Sequence, residues 1–509
     1  MVKQLGSLGA DIRMTLRRPL FWLACLAALC FTVLVTIVLV FAIQARVRLA
    51  DLRPWHKAVL AAEFHVDRAG APASFPEYRA LEDRLFAELR RRVIDDPAAA
   101  DTQPLGRYTP GSIPSRLALD TPYNRSFELV PADIKGAALL VHGLSDSPYS
   151  MRALAETLYE QGYYVLALRL PGHGTIPAGL TDVSWRDWYG AVVLAAQHAA
   201  AQAPGKPFIA GGHSTGAALV TLYSVRALAD PKLARPQALY LVSAAIGISP
   251  FAVLTNVLSD LAFIPGFEKS RWLDVLPEYD PYKYNSFPVN AANQIYTVTR
   301  TLRAELDDAR SRGRLDAMPR VVMFQSVVDS TVTAGEVVRG LLSYLPPRGH
   351  ELVVFDVNRY EQLEALVAPG PLESLERLRA APDLSFKITV ITNRDAATRA
   401  VGAFVREAGQ NEITERDLPY EWPRGVLSVG HVSLPFPVDD PLYGLEGPPE
   451  GSRATYNLGT FPARGENGAL LVPLAQFARV RSNPFFGVIR AKVRETLPDG
   501  VGRPAVASP

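Results

Sequence analysis

Residues 210–216 read Ala-Gly-Gly-His-Ser-Thr-Gly and contain Gly212-His213-Ser214-Thr215-Gly216, a pentapeptide of the form G-x-S-x-G. Alone, such a pentapeptide is a weak signal, because it arises by chance in glycine-rich loops. Its flanks make it specific. The apolar run Pro207-Phe208-Ile209-Ala210 precedes it, and Ala217 to Leu228 follows with a helical composition. Strand, sharp turn and helix are the setting in which a serine is held in strained backbone geometry with its hydroxyl clear of a sheet. Glycines at 212 and 216 remove side chains where strand and helix come close.

Working outward, short buried strands alternate with helices. Ala137-Ala138-Leu139-Leu140-Val141 reads as a strand ending at His142-Gly143, and Met151 to Gln161 as a helix. Tyr164 to Leu168 is the next strand and ends in Leu170-Pro171-Gly172-His173-Gly174; a helix is expected from about Ser184 to Gln202. Further strands are expected at Ala238–Ser243, Arg320–Ser326 and Glu351–Val357. Apolar strands in this rhythm predict a parallel sheet covered on both faces. Ligands bind at the carboxyl ends of such strands.

Two regions break the rhythm. Residues 247 to 316 are rich in Phe, Leu and Val and then in Tyr, and they read as a helical cap. Residues 358 to 424 read as an insertion, helix-like over 360 to 380 and strand-like at Phe386 to Ile391.

Composition excludes several function classes. Hydrophobic residues make up 48% and charged residues 20% of the 509 positions, which suffices for a large buried core. The net charge of +2 comes with no basic block, so no nucleic-acid partner is expected. The only cysteines are Cys25 and Cys30, both near the N-terminus. No disulfide framework, cysteine-based zinc site or cysteine nucleophile is therefore expected in the rest of the chain.

Leu20 to Ile43 contains no charged residue. As a helix it would rise roughly 36 Å, enough to span a bilayer core. A cleaved signal peptide is the alternative, but its apolar core is usually shorter, and no small-x-small cleavage site follows. The expectation is an uncleaved single-pass membrane anchor. Flanking positive charges are nearly balanced across it, with a slight lean towards placing the large domain on the outer side.

The separated segments together resemble the α/β-hydrolase superfamily, and within it the serine esterases similar to monoacylglycerol lipases. The resemblance rests on His142-Gly143, Pro171-Gly172-His173-Gly174, the pentapeptide at 212–216, Asp329 in Val327-Val328-Asp329-Ser330-Thr331-Val332, and His431 in Ser428-Val429-Gly430-His431-Val432. Ser, Asp and His occur in the order that fold uses. The resemblance implies an α/β-hydrolase domain at 106–497, with the cap at about 247–316 and the insertion at about 358–424. A tail at 1–19, the span at 20–43, a stalk or pre-domain helix at 44–105 and a terminal tail at 498–509 complete the division.

A serine hydroxyl is a poor nucleophile until an imidazole takes its proton, and a carboxylate must hold that imidazole in the right tautomer. The resemblance assigns Ser214 as nucleophile, His431 as general base and then acid, and Asp329 as the orienting carboxylate. It places the oxyanion donors at the backbone N–H groups of Leu144 and Thr215. Asp356, at the end of the next strand, is the rival acid; Asp439 and Asp440 read as turn residues. His142, His173 and His213 read as loop or packing residues. The spacing departs from compact relatives, since Asp329 and His431 lie 102 positions apart. Inserted residues lengthen the chain between two points without separating them in space.

The function expected is a membrane-anchored serine hydrolase that cleaves carboxylic esters, lipid-like or acyl, through an acyl-enzyme. No metal and no organic cofactor is implied. The same triad also serves an acyltransferase or thioesterase, and a scaffold without catalysis is the reading from another class.

Overall fold

The structure is a computed structural model, which describes residues 21–33, 35–36, 40, 43, 49–99, 101–247, 268–329, 332–361, 367, 369–447, 456–460, 472–473, 476 and 478–498. A ten-stranded sheet forms its centre. The strands are β1 (Phe127–Leu129), β2 (Gly136–Val141), β3 (Tyr163–Leu168), β4 (Phe208–His213), β5 (Ala238–Val242), β8 (Arg320–Ser326), β9 (Glu351–Phe355), β10 (Lys387–Asn393), β11 (Ala400–Arg406) and β12 (Ile413–Glu421). β6 (Trp272–Asp274) and β7 (Phe287–Pro288) form a separate pair.

The sheet order is β1-β3-β2-β4-β5-β8-β9-β10-β11-β12. From β3 to β10 every neighbouring pair is parallel. β1, β11 and β12 add antiparallel edges. Every residue of β2, β3, β4, β5 and β9 is buried. That burial explains why these segments are mostly apolar rather than alternating, with Glu351 and His213 the charged or polar exceptions at strand ends.

Helices cover both faces. Trp185–Ala201, Thr215–Ala227 and Val289–Ser311 pack on one side, and Arg152–Tyr159 and Phe486–Thr496 on the other. Ser184 caps the first of these reciprocally with Asp187, which fixes where that helix begins.

Residues 358–424, expected as an insertion, extend the sheet. β10 pairs in parallel with β9, and β11 and β12 continue from it. A helix, Pro369–Ala380, precedes β10. Of the cap expected at 247–316, residues 248–267 lie outside the described part; 289–311 is one long helix packed against Thr215–Ala227.

The N-terminal expectation needs correction. Among the described residues no helix is long and apolar enough to cross a membrane. The membrane anchor, the membrane partnership and the outer-side placement of the catalytic domain are therefore withdrawn.

Within 44–105, expected as a stalk or pre-domain helix, residues 55–94 are joined to the body. The helix Phe75–Leu89 places Tyr78 beside Phe64 and Phe75 in the same core as the sheet. The buried Arg169 guanidinium, directly after β3, bonds to Glu82 at 2.9 Å and to Glu63 at 3.0 Å. The Tyr78 hydroxyl donates to the Arg169 carbonyl at 2.7 Å. Breaking one partner of such a buried cluster leaves an uncompensated charge, a cost of about 3–5 kcal/mol. Arg169→Ala is therefore expected to lower unfolding stability by about that much in urea titrations, whereas a loss under about 0.5 kcal/mol would show that the cluster does not tie this segment down.

Candidate active site

Ser214 sits between β4 and the helix Thr215–Ala227 with φ 52° and ψ −115°. A positive φ outside glycine costs of the order of 1–3 kcal/mol and persists only where neighbours fix it. Three hydrogen bonds do so. The Ser214 amide donates to the Val242 carbonyl, and the Ser214 carbonyl accepts from Ala245 and Ala218. The glycines of the pentapeptide serve close approach. A Cβ on Gly216 would run into the backbone of Val141, and one on Gly212 would meet the Ala217 nitrogen at 2.5 Å.

The structure brings Ser214, Asp329 and His431 together. His431 Nε2 lies 2.9 Å from Ser214 Oγ, and His431 Nδ1 lies 2.9 Å from Asp329 Oδ2. All three residues are buried. The carboxylate fixes the tautomer: Nδ1–H donates to Asp329, so Nε2 is the lone-pair side facing the serine hydroxyl. Asp329 is itself held, since Oδ1 accepts from the Val332 amide at 2.9 Å and Oδ2 from Gln325 Nε2 at 3.0 Å.

The chain closes the 102-position gap by stitching the His431 loop to the ends of β8 and β9. Ser326 Oγ, the last residue of β8, donates to the Val429 carbonyl at 2.7 Å. Asn358 donates from its amide to Leu427 and from its side chain to Val426. Val357 and Ser428 form an isolated antiparallel bridge. The loop itself is tightened by Ser433, whose hydroxyl accepts from the Gly430 amide.

Burial pushes the His431 imidazole below its ordinary range, and Asp329 opposes this only in part. Nearby His213 and Lys283 add to the lowering. The ring is thus neutral, and able to accept a proton, at neutral pH.

Thr215 and Leu144 flank the serine. The Thr215 amide is the first of its helix and has no acceptor within it. Leu144 follows Gly143, where a Cβ would stand 3.2 Å from Ser214 Cβ and 2.9 Å from His213 Nδ1. The missing side chain lets the β2 loop lie against the serine. No group of three His, Cys, Asp or Glu side chains among the described residues is disposed to hold a metal ion.

The rival residues are engaged elsewhere. Asp356 pairs with Arg359 and accepts from Thr392. Asp440 pairs with Arg152 and accepts from the Tyr149 hydroxyl. His142 is pushed to about 4 by burial; it donates from Nδ1 to Gly143 and accepts at Nε2 from the Leu170 amide. Burial likewise drives His173 well below its usual range.

One residue does more than its sequence reading gave it. His213 Nε2 donates to the His431 carbonyl at 3.0 Å, and its Nδ1 faces the buried Asp146 carboxylate at 3.6 Å. The residue before the serine thus holds the backbone of the histidine that is hydrogen-bonded to that serine. Its position inside the pentapeptide was the available signal, but only the folded loop shows the acceptor.

Against known families, residues 132–303, about a third of the chain, match the family described as serine aminopeptidase, S33. A thermostable monoacylglycerol lipase from Bacillus sp. strain H-257 is 44% identical over 54 residues, which is 11% of this chain and 22% of that protein. The alignment therefore spans only about a fifth of that relative. Among solved structures, one from work on LipS and LipT, two metagenome-derived lipolytic enzymes, is 23% identical, with 51% of this chain and 99% of the other covered and a TM-score of 0.36. The Paleococcus ferrophilus monoacylglycerol lipase is 17% identical, with 45% and 88% covered and a TM-score of 0.34. At those scores the structural matches carry no argument beyond this report. Residues 132–303 thus match a serine-hydrolase family, and the strand order and strained serine are similar to those of α/β-hydrolases of the esterase and lipase kind.

Two measurements check the geometry. The acid limb of kcat/KM is expected below about pH 6.5, because a base whose pKa is lowered stays unprotonated to lower pH and fails only as pH falls through that value. A limb above about 7 would contradict it. Gly143→Ala is expected to lower kcat by about 10²-fold while the fold is retained by circular dichroism, because the added methyl forces the Leu144 amide away from the serine.

Proposed function

We propose that the protein hydrolyses carboxylic esters through an acyl-enzyme, with Ser214 as nucleophile, His431 as general base and acid, and Asp329 as its orienting carboxylate. The observation that carries the reading is the unbroken chain Asp329–His431–Ser214, with both links at 2.9 Å, ending on a serine of positive φ.

The steps balance as follows. Ser214 Oγ bonds to the ester carbonyl carbon as its proton passes to His431 Nε2. The carbonyl oxygen takes the negative charge and is stabilised by the N–H groups of Leu144 and Thr215. The carbon–alkoxy bond breaks, and His431 returns its proton to the departing alcohol. Water then repeats the sequence on the acyl-serine: His431 takes its proton, hydroxide oxygen bonds to carbon, and Ser214 leaves reprotonated. Each backbone donor is worth about 3–4 kcal/mol to the tetrahedral state.

Ester rather than peptide cleavage is favoured by the local match to a monoacylglycerol lipase, against the family description, which names an aminopeptidase. A lipid-like ester rests on that relative's name alone.

A fluorophosphonate probe should label the protein in a one-to-one ratio by intact mass, and labelling should vanish in Ser214→Ala. Asp329→Asn should lower kcat about 10⁴-fold with little change in KM, since the imidazole then presents the wrong tautomer. Labelling that survives Ser214→Ala sinks the assignment of the nucleophile.

A further inference from the structure

A cavity of about 230 Å³ is lined by Asp146, which faces His213 next to the serine in the chain, and by Val432, the residue after His431. A pocket shaped for a long acyl chain is apolar with few polar groups. This one is strongly charged. Asp146, Asp274 and Asp280 line it, as do Lys283, Arg479 and Arg481.

The two signs are not equally committed. Asp280 Oδ1 accepts from the Tyr443 hydroxyl at 2.6 Å and from the amides of Tyr282 and Lys283, and Oδ2 faces Arg481 at 3.5 Å. Arg481 also donates to the Tyr279 hydroxyl. Asp146 faces His213 at 3.6 Å. Asp274 is exposed to solvent, where its charge is screened.

The two remaining cations are less committed, although Lys283 lies in the field of Asp146 and Asp280. Among the described residues, neither the Lys283 ammonium nor the Arg479 guanidinium takes part in a side-chain hydrogen bond or an ion pair. Lys283 is half-buried. Arg479 is exposed, and Lys283 has Asp146 and Asp280 as nearby opposite charges, so both keep donor hydrogens free for an anionic ligand.

Building on the ester-hydrolase reading, we propose that Lys283 and Arg479 form an anion subsite, and that the ester this protein acts on carries a carboxylate or phosphate group next to the scissile bond. A carboxylate or phosphate would accept charge-assisted hydrogen bonds from both. Arg481 beside Arg479 adds a second guanidinium charge to the field. Lys283 acts on the triad itself, being one of the charges that lower His431.

The test compares esters of matched size with the full chain: p-nitrophenyl butyrate (neutral), p-nitrophenyl hemisuccinate (anion on the acyl side), p-nitrophenyl 4-aminobutyrate (cationic), and the butyrate ester of glycerol phosphate (anion on the alcohol side). At least one anionic ester should exceed the neutral one in kcat/KM by about tenfold or more, and added salt should shrink the ratio. The Lys283→Gln/Arg479→Gln double variant should bring that ratio close to one, and Lys283→Arg should keep most of it.

A wild-type ratio at or below one, a ratio untouched by the double variant, or a preference for the cationic ester overturns the subsite. If no ester is cleaved and fluorophosphonate does not label Ser214, the hydrolase reading fails separately. Calorimetric titration with succinate and glycerol phosphate then decides the subsite by itself. Binding lost in the double variant upholds it, and no binding to the wild type overturns it.

Discussion

The bond between His431 Nε2 and Ser214 Oγ joins residues 217 positions apart, and the chemistry of the site depends on it. It forms because both residues stand on loops at the carboxyl ends of parallel strands. In such a sheet those ends share one edge whatever the sequence distance between them. β4 delivers the serine directly. β8 and β9 deliver the histidine indirectly, by hydrogen bonding the loop that bears it. Asp329, just past β8, then needs to span only a single hydrogen bond.

Rigidity of the serine turn comes from the same edge. The amide and carbonyl of Ser214 are both taken up by the loop after β5 and the following helix, so its unfavourable φ has no easy relaxation. Close packing completes the constraint. Gly143, Gly212 and Gly216 each stand where a methyl group would collide with backbone or with the site. Low solvent access strengthens every charge interaction there and keeps the imidazole neutral.

Much of this was legible in the chain. Buried strands such as Ala137–Val141 and Val321–Phe324 are continuous apolar runs with helices between them, which is the signature of a parallel sheet. Ser214, Asp329 and His431 were legible because their motifs are local. What was not legible depends on tertiary context. β12 is largely exposed, with no apolar periodicity to mark it, and so 358–424 read as an insertion rather than as the far edge of the sheet. Glu63, Glu82 and Arg169 are charged residues whose burial shows only when they meet. His213 carried a motif position but no hint of its acceptor. The N-terminal segment shows the opposite error, since an uncharged run was taken as a membrane span and no described helix is long and apolar enough to be one.

The proposed substrate preference turns on charge, because the cavity lined by Asp146 and Val432 is walled by ionised groups. The triad itself is tested most directly by a crystal structure of the protein after reaction with a phosphonate ester. A covalent bond from Ser214 Oγ to phosphorus is expected, with the phosphonyl oxygen within about 3 Å of the Leu144 and Thr215 amides and His431 still between Ser214 and Asp329. An adduct on another residue, or a phosphonyl oxygen turned away from both amides, would contradict it.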